Sequence, residues 1–466
     1  MRPLLILPLL LASCVVGPNF KRPDAAMPSK WKEGSSSKTA QPLPDEWWKL
    51  FNSSKLNSLV AQSLAANQDL IGAQARVETA RALLGVKRAD WFPQLGLGGS
   101  FGTQRQSESS FGANLPAGFG NVKDLVERDY YKASLDLSYE LDLWGRVKRS
   151  VESAKASARA ADESLSAQRL MIASEVARNY FLLRSYDLQT KVIQDTIALR
   201  EEALKLQKSR FDGGMANEMD VTRARTEHEL ARADLAALER QRGSAEHALA
   251  VLCGQPPSSF SVAANPTLTA PPQVPSGLPS DLLASRPDVR VAEAELEATN
   301  AEIGVAKASF FPAFKLTGSG GLDSVDSSTF LEWENRALSI GPSVSLPIFQ
   351  GGRLKANLRA AKSRYEESTA KYRQTLLVAL REVEDAMLDL KSMGRQRAAI
   401  DAAMKAADET ARLARVRYDK GLASYFEVVE ADRTVLSTKL ALAQIDGQRS
   451  VSTVLLIKAL GGGWKK

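Results

Sequence analysis

The side chains that could do chemistry are few in this 466-residue chain, and their spacing does not favour catalysis. His228 and His247, the only two histidines, cannot build a histidine-rich metal centre. Gly461-Gly462-Gly463 lacks the Lys-Ser/Thr pair and the following helix that a phosphate cradle requires. Paired carboxylates are abundant, but they fall inside helical stretches at the spacing of ordinary ion pairs. The expectation is therefore a protein with no catalytic residues, no metal site and no cofactor. Glu427 and Glu430, three apart on one predicted helix face, put two carboxylates side by side. Cys253 is a lone thiol near a helix end, expected to be packed rather than reactive.

Cys14 is different. Met1-Arg2, an apolar run from Leu4 to Leu11 and the small residues Ala12 and Ser13 precede it, which reads as a targeting segment. The run is too short to span a bilayer. Leu11-Ala12-Ser13-Cys14 resembles a bacterial lipobox, in which the cysteine is acylated and becomes the first residue of the mature chain. No Asp follows Cys14, which fits outer-membrane sorting. An acylated Cys14 cannot form a disulfide with Cys253.

The elements that position these residues come from a duplication. Residues 146–254 repeat at 353–461 without a gap, every matched pair separated by 207 (353 minus 146). Arg210-Phe211-Asp212 pairs with Arg417-Tyr418-Asp419, Gly214 with Gly421, and Gly254 with Gly461. Each copy holds a stretch rich in Ala, Leu, Glu, Arg and Gln; a continuous helix from Arg146 to Arg210 would run about 100 Å. Each long helix turns at a glycine-containing tip, Gly213-Gly214-Met215-Ala216 or Gly421-Leu422-Ala423, and a shorter helix returns. A further helix is expected from about Lys55 to Asp90, ended by Pro93. The formal charge of +7, from 61 basic and 54 acidic residues, is interspersed and reads as solvated helix faces. No basic run alternates with aromatics, which argues against nucleic-acid binding.

Between the helices the period falls to two. Leu95, Leu97 and Phe101 alternate with Gly96, Gly98 and Ser100, and Leu135, Leu137, Tyr139 and Leu141 with Ser134, Asp136, Ser138 and Glu140. Phe314, Leu316 and Gly318, then Ile340, Val344 and Leu346, repeat the pattern in the second half. Each half thus supplies one β-hairpin with a Ser/Gly/Asn-rich loop, the first loop carrying an insertion. A hairpin of this kind resembles an outer-membrane barrel segment. Four strands cannot close a barrel, so several chains must share one; two would give about eight strands and a filled lumen, three about twelve and a channel.

Ser138-Tyr139-Glu140-Leu141-Asp142-Leu143-Trp144-Gly145-Arg146, Leu346-Pro347-Ile348-Phe349-Gln350-Gly351-Gly352-Arg353, Trp47-Trp48 and Val16-Gly17-Pro18-Asn19-Phe20 resemble signatures of the outer-membrane efflux proteins. These are the TolC/OprM-like outer membrane factors, including the NodT-type efflux lipoproteins, and the resemblance covers essentially the whole chain. It implies a mainly α protein with membrane β-structure: a homotrimer whose twelve-stranded β-barrel, four strands per chain, continues into a periplasmic α-helical barrel. It also implies a periplasmic adaptor and, through it, an inner-membrane pump of the RND kind. On this reading the domains are 1–13 lipoprotein signal peptide, 14–52 lipidated tether, 53–254 first repeat, 255–280 Pro/Ser-rich linker and 281–466 second repeat.

The resemblance also assigns sites. Gly145, Pro347, Gly351 and Gly352 are the strand-to-helix joins, where glycine and proline permit the bend from β-barrel to α-barrel. Gly214, Met215, Ala216, Gly421, Leu422 and Ala423 resemble adaptor-contacting tips. Asp220, Glu427, Glu430 and Tyr418 match positions that line or latch the closed periplasmic aperture. The family's latch arginine after the tip glycine is replaced by Ala423, which leaves Arg225, Arg417 or Arg433 as counter-charges. The expected function is the exit duct of a tripartite efflux system, anchored in outer-membrane lipid with most of its mass in the periplasm. The rivals are a type I protein-secretion duct and a coiled-coil envelope scaffold.

Overall fold

The computed structural model describes residues 15–24, 27–33, 43–105, 107, 127–275, 277 and 279–463. Cys14, with its expected acylation, lies outside the described residues, as does most of the insertion in the first hairpin loop. The main elements are α1 (Ser54–Ala66), α2 (Gln68–Ala89), β1 (Gln94–Arg105), β2 (Glu127–Leu141), α3 (Arg146–Asp212) and α4 (Glu218–Leu252). They are followed by α5 (Pro287–Ala308), β3 (Ala313–Ser324), β4 (Arg336–Ser345), α6 (Arg353–Asp419) and α7 (Tyr425–Ala459).

The duplication fixes element lengths. α3 and α6 are both 67 residues long, and α4 and α7 both 35, with each start displaced by 207 (353 minus 146; 425 minus 218). All four end the same way. Gly214, Gly254, Gly421 and Gly461 sit at positive φ, and the residue after each donates its N–H to the carbonyl five back: Met215 to Arg210 (2.7 Å), Gln255 to Ala250 (2.9 Å), Leu422 to Arg417 (2.8 Å) and Gly462 to Ile457 (3.0 Å). This left-handed cap satisfies carbonyls that a helix end would otherwise orphan, and a side chain at the glycine would strain it.

The strands form one antiparallel sheet in the order β1-β2-β3-β4. Its register aligns the apolar sets: Leu97 faces Leu135, Leu135 faces Gly320, and Gly320 faces Leu338. One face is therefore apolar and open over its middle and helix-proximal part, with Leu97 and Leu338 each 84% exposed, and turns polar at the loop end with Thr103, Arg105, Glu127 and Asp129. The opposite face carries Ser100, Ser134, Ser138, Thr317, Ser319 and Ser343. Ser134 is an exception to that polar face being open, because it is buried and donates to Asp136.

The chain divides into two compact units, each drawing on both repeats. One comprises Met1–Pro23, Glu78–Ala160 and Glu293–Ala370, and holds the sheet and the joins. The other comprises Asp24–Val77, Ala161–Ala292 and Lys371–Lys466. Its largest core gathers Trp47, Trp48, Phe51, Leu56, Leu59, Tyr180, Phe181, Leu183, Leu249 and Ile457, with the Phe51 and Phe181 rings 4.7 Å apart. Burying each such side chain contributes about 1.5–3 kcal/mol. Cys253 lies in this core, its sulfur near the Leu59 carbonyl, and burial pushes the thiol up to about 11.

Two expectations are corrected. The helix read as continuous from Lys55 to Asp90 breaks at Asn67, whose backbone is extended. Its side-chain oxygen accepts from the Asp69 and Leu70 N–H groups and its amide donates to the Leu252 carbonyl, so it caps α2 and joins the core. The segment read as a tether is docked where it is described. Trp31 is buried and donates to the Gly277 carbonyl, the N–H groups of Lys32 and Glu33 grip the Glu384 carboxylate, and Trp47–Phe51 is a short helix within the core.

Candidate functional site

At the joins, each strand leads into its long helix through positive-φ glycine. Gly145 (φ +77) precedes α3, whose first turn is capped by Asp142: its carboxylate accepts from the Val147 (3.1 Å) and Lys148 (2.7 Å) N–H groups. Arg146 grips Glu140 through two hydrogen bonds of 2.7 and 2.8 Å, and the Trp144 indole donates to the Pro312 carbonyl. The second join is looser. Pro347 lies in an irregular run and Gly351 (φ +55) and Gly352 (φ +86) precede α6, with open space where a Cβ would stand.

The helical-hairpin tips present Met215 and Leu422, 77% and 67% exposed, beside Gly214 and Gly421, while Ala216 and Ala423 are half-buried. α4 begins with the Asn217 side chain accepting from the Asp220 N–H (2.9 Å). Ser424, in the matching place before α7, makes no such bond.

Behind the tips the expected aperture residues fall into separate contacts. Tyr418 exchanges hydrogen bonds with the buried Gln207 amide, 2.9 Å from its nitrogen and 3.2 Å from its oxygen. Arg210 lies over the Tyr418 ring at 5.0 Å, and the Tyr425 ring is 5.7 Å away. Glu427 meets Arg417 at 3.5 Å, and Glu430 meets Arg433 at 2.8 Å. Arg433 also binds Glu227, a buried carboxylate on α4 that Arg200 of α3 reaches at 3.0 Å. Asp220 stands apart from these pairs, half-buried in the first turn of α4. Of the three candidate counter-charges, Arg417 and Arg433 are engaged, and Arg225 is exposed and makes no ion pair among the described residues.

Sequence reasoning missed Glu227, Arg200, Gln207 and Phe426. A signal existed for the first. Val221, Ala224 and Ala231 form the buried stripe of α4, and Glu227 lies on it, so a carboxylate in an apolar row demanded partners. Phe426 is an exposed aromatic with Arg223 over its ring at 5.1 Å.

A cavity of about 510 Å³ opens behind Tyr418 and Tyr425, lined also by Arg200, Gln207, Arg415 and Asp432. Burial holds the Asp432 carboxyl above the usual carboxylate range although Arg415 lies 2.5 Å away, and burial pushes the Tyr425 hydroxyl up to about 12. Among the described residues no group of His, Cys, Asp and Glu could hold a metal. The arrangement can hold helices in register and present charge; it offers no nucleophile poised beside a base.

A family model described as outer membrane efflux protein matches residues 59–255 and 278–462. Outer membrane protein OprJ of Pseudomonas aeruginosa is 32% identical over 467 residues, covering 99% of this chain and 95% of that one. A probable outer membrane lipoprotein, SilC of Salmonella typhimurium, is 30% identical, covering 98% and 97%. The solved structure of the outer-membrane channel OprN superposes with a TM-score of 0.88 at 32% identity, over 97% of this chain and all of that one.

Proposed function

This chain belongs to the outer membrane efflux protein family, and we propose that three copies of it form the exit duct of a tripartite efflux pump. It is an outer-membrane channel of TolC-like fold and not an enzyme. Small molecules pass through it, and an inner-membrane RND pump supplies the energy by way of a periplasmic adaptor that contacts Met215 and Leu422 at the tips.

The observation that carries this reading is the sheet. Among the described residues β1 and β4 are unpaired edges, and the apolar face has no covering layer. In hydrocarbon an unpaired edge costs several kcal/mol for each backbone group, so the sheet must close against other copies. Three copies give twelve strands and a lumen wide enough for solutes. Acylation of Cys14 supplies a second membrane attachment. Asp220, Glu427, Glu430 and Tyr418 form the constriction, with Arg417 and Arg433 as its counter-charges.

Native mass in mild detergent, combined with conductance in planar bilayers, tests the duct. Three subunits and a conducting pore are expected; a stable monomeric pore would refute the shared barrel. Intact mass of the extracted protein tests the anchor, and an unmodified Cys14 would end that part.

A further inference from the structure

We propose that the cavity behind Tyr418 and Tyr425 is a binding site for an organic monocation with a flat apolar body, and that its occupant clamps α7 to α3. The site is built within one chain and goes beyond the duct reading.

Its walls come from α3, the end of α6 and the first half of α7, and α4 adds Glu227. The volume of about 510 Å³ falls in the range of small-molecule sites. Leu199 and Leu206, two turns apart on one face of α3, line it while 58% and 49% exposed, and Val435 and Leu436 face them from α7. These apolar walls suit a flat hydrocarbon body.

Charge sets the sign of the guest. Five carboxylates line the cavity against three cations, and each of those cations is already engaged. Arg200 reaches Glu227 at 3.0 Å, Arg415 reaches Asp432 at 2.5 Å, and Lys439 turns to Asp408, outside the lining, at 3.2 Å. Asp195 has Lys191 at 2.6 Å. Two carboxylates are left over. Lys205 pairs with Glu201 (2.8 Å), so Glu202 has no close ion pair among the described residues, and Asp419 has only Arg210 at 4.0 Å. Even Asp432 is under-compensated, because burial holds its carboxyl above the usual range against Arg415, Arg200 and Lys439 together. A cation relieves this imbalance and an anion would deepen it.

Two rings supply the rest. The Tyr418 and Tyr425 centroids are 5.7 Å apart, with planes tilted by 51°. Tyr418 already draws Arg210 over its ring at 5.0 Å, while no cation lies over Tyr425 among the described residues. Electron-rich ring faces beside uncommitted carboxylates are the chemistry that recognises organic ammonium groups. A guest touching α3 on one side and α7 on the other adds to the Tyr418–Gln207 bond between α6 and α3.

Thioflavin T is the probe, a flat permanent monocation, and its uncharged 2-(4-dimethylaminophenyl)benzothiazole analogue is the control. Both are titrated by equilibrium dialysis into the assembled protein in zwitterionic lipid nanodiscs, against empty discs. Saturable binding of thioflavin T is expected, at least about tenfold tighter than that of the analogue. No saturable binding, or equal affinity for the two, overturns the proposal. Leu206→Trp, at an exposed position, fills the cavity mouth and should abolish binding. Glu202→Gln with Asp419→Asn removes the two unpaired charges and should weaken thioflavin T about tenfold while leaving the analogue unchanged. Wild-type affinity in either variant overturns the site. Glu427→Gln with Glu430→Gln should bind the dye as wild type does; loss there would put the dye at the proposed constriction and overturn the cavity. With dye bound, hydrogen exchange in the first half of α7 should slow several-fold, and unchanged exchange overturns the clamp. Subunit number and conductance of the same samples report the duct separately.

Discussion

The two hairpin tips share one backbone design and differ in the side chains it presents. Gly214 and Gly421 cap their helices identically, yet Phe211, Met219, Arg223 and Thr226 of the first tip stand where the second has Tyr418, Phe426, Glu430 and Arg433, each pair 207 apart (418 minus 211). The first tip exposes Phe211, Met215 and Met219 and is stabilised by its own cap at Asn217. The second lacks that side-chain cap and ties itself to the first repeat through Tyr418–Gln207 and Arg433–Glu227. One duplicated turn has become a self-sufficient half and a latched half.

The largest effect should come from cutting the tie at its buried centre. Glu227→Ala leaves Arg200 and Arg433 without their shared carboxylate and should cost about 3–5 kcal/mol at the second tip, measured by hydrogen exchange of α7; exchange confined to wild-type rates would break the comparison. Next, Glu430→Arg gives the second tip the residue type of the first. With assembly intact, it should shift ion selectivity in planar bilayers strongly towards anions, while Glu427→Gln with Glu430→Gln should shift it less. Unchanged selectivity in both would return these acids to solvated helix surface.

A smaller contrast lies in the caps. Asn217→Ala should destabilise its helix by about 1 kcal/mol, whereas Ser424→Ala should stay within about 0.5 kcal/mol, both read from thermal unfolding. The smallest effect concerns Asp432. Because burial raises its folded carboxyl above the unfolded value, its contribution to the folded tip is fully present below the unfolded value and is lost as pH rises through the raised one. Asp432→Asn should flatten the fall in the stability of α7 as pH rises above the ordinary carboxylate range.

Periodic features were legible in the sequence and solitary ones were not. The 207-residue offset anticipated the helix starts at Arg146 and Arg353, and the period of two anticipated the faces on which Leu97, Leu135 and Leu338 meet. Both signals add over many residues. Asn67 breaks a helix through three hydrogen bonds of one side chain, and a helical period passes straight through it. The proposed aperture residues could be named by resemblance, but Gln207, which bonds Tyr418, and Glu227, which binds Arg433 and Arg200, lie on other helices. Only tertiary contact brings them within reach. The docking of Lys32 and Glu33 was hidden for a related reason: a Pro- and Ser-rich stretch looks solvated until the receiving Glu384 is found.

The equal lengths of the two hairpins make this gene unforgiving of small insertions and deletions. Removing one residue from the middle of α6 would turn everything beyond it by about 100° relative to its partners and pull Tyr418 from Gln207. A compensating change elsewhere in the same helix could restore the phase, and so could a deletion at the corresponding place in α3. Suppressors of such a lesion should therefore cluster at two loci about two hundred codons apart.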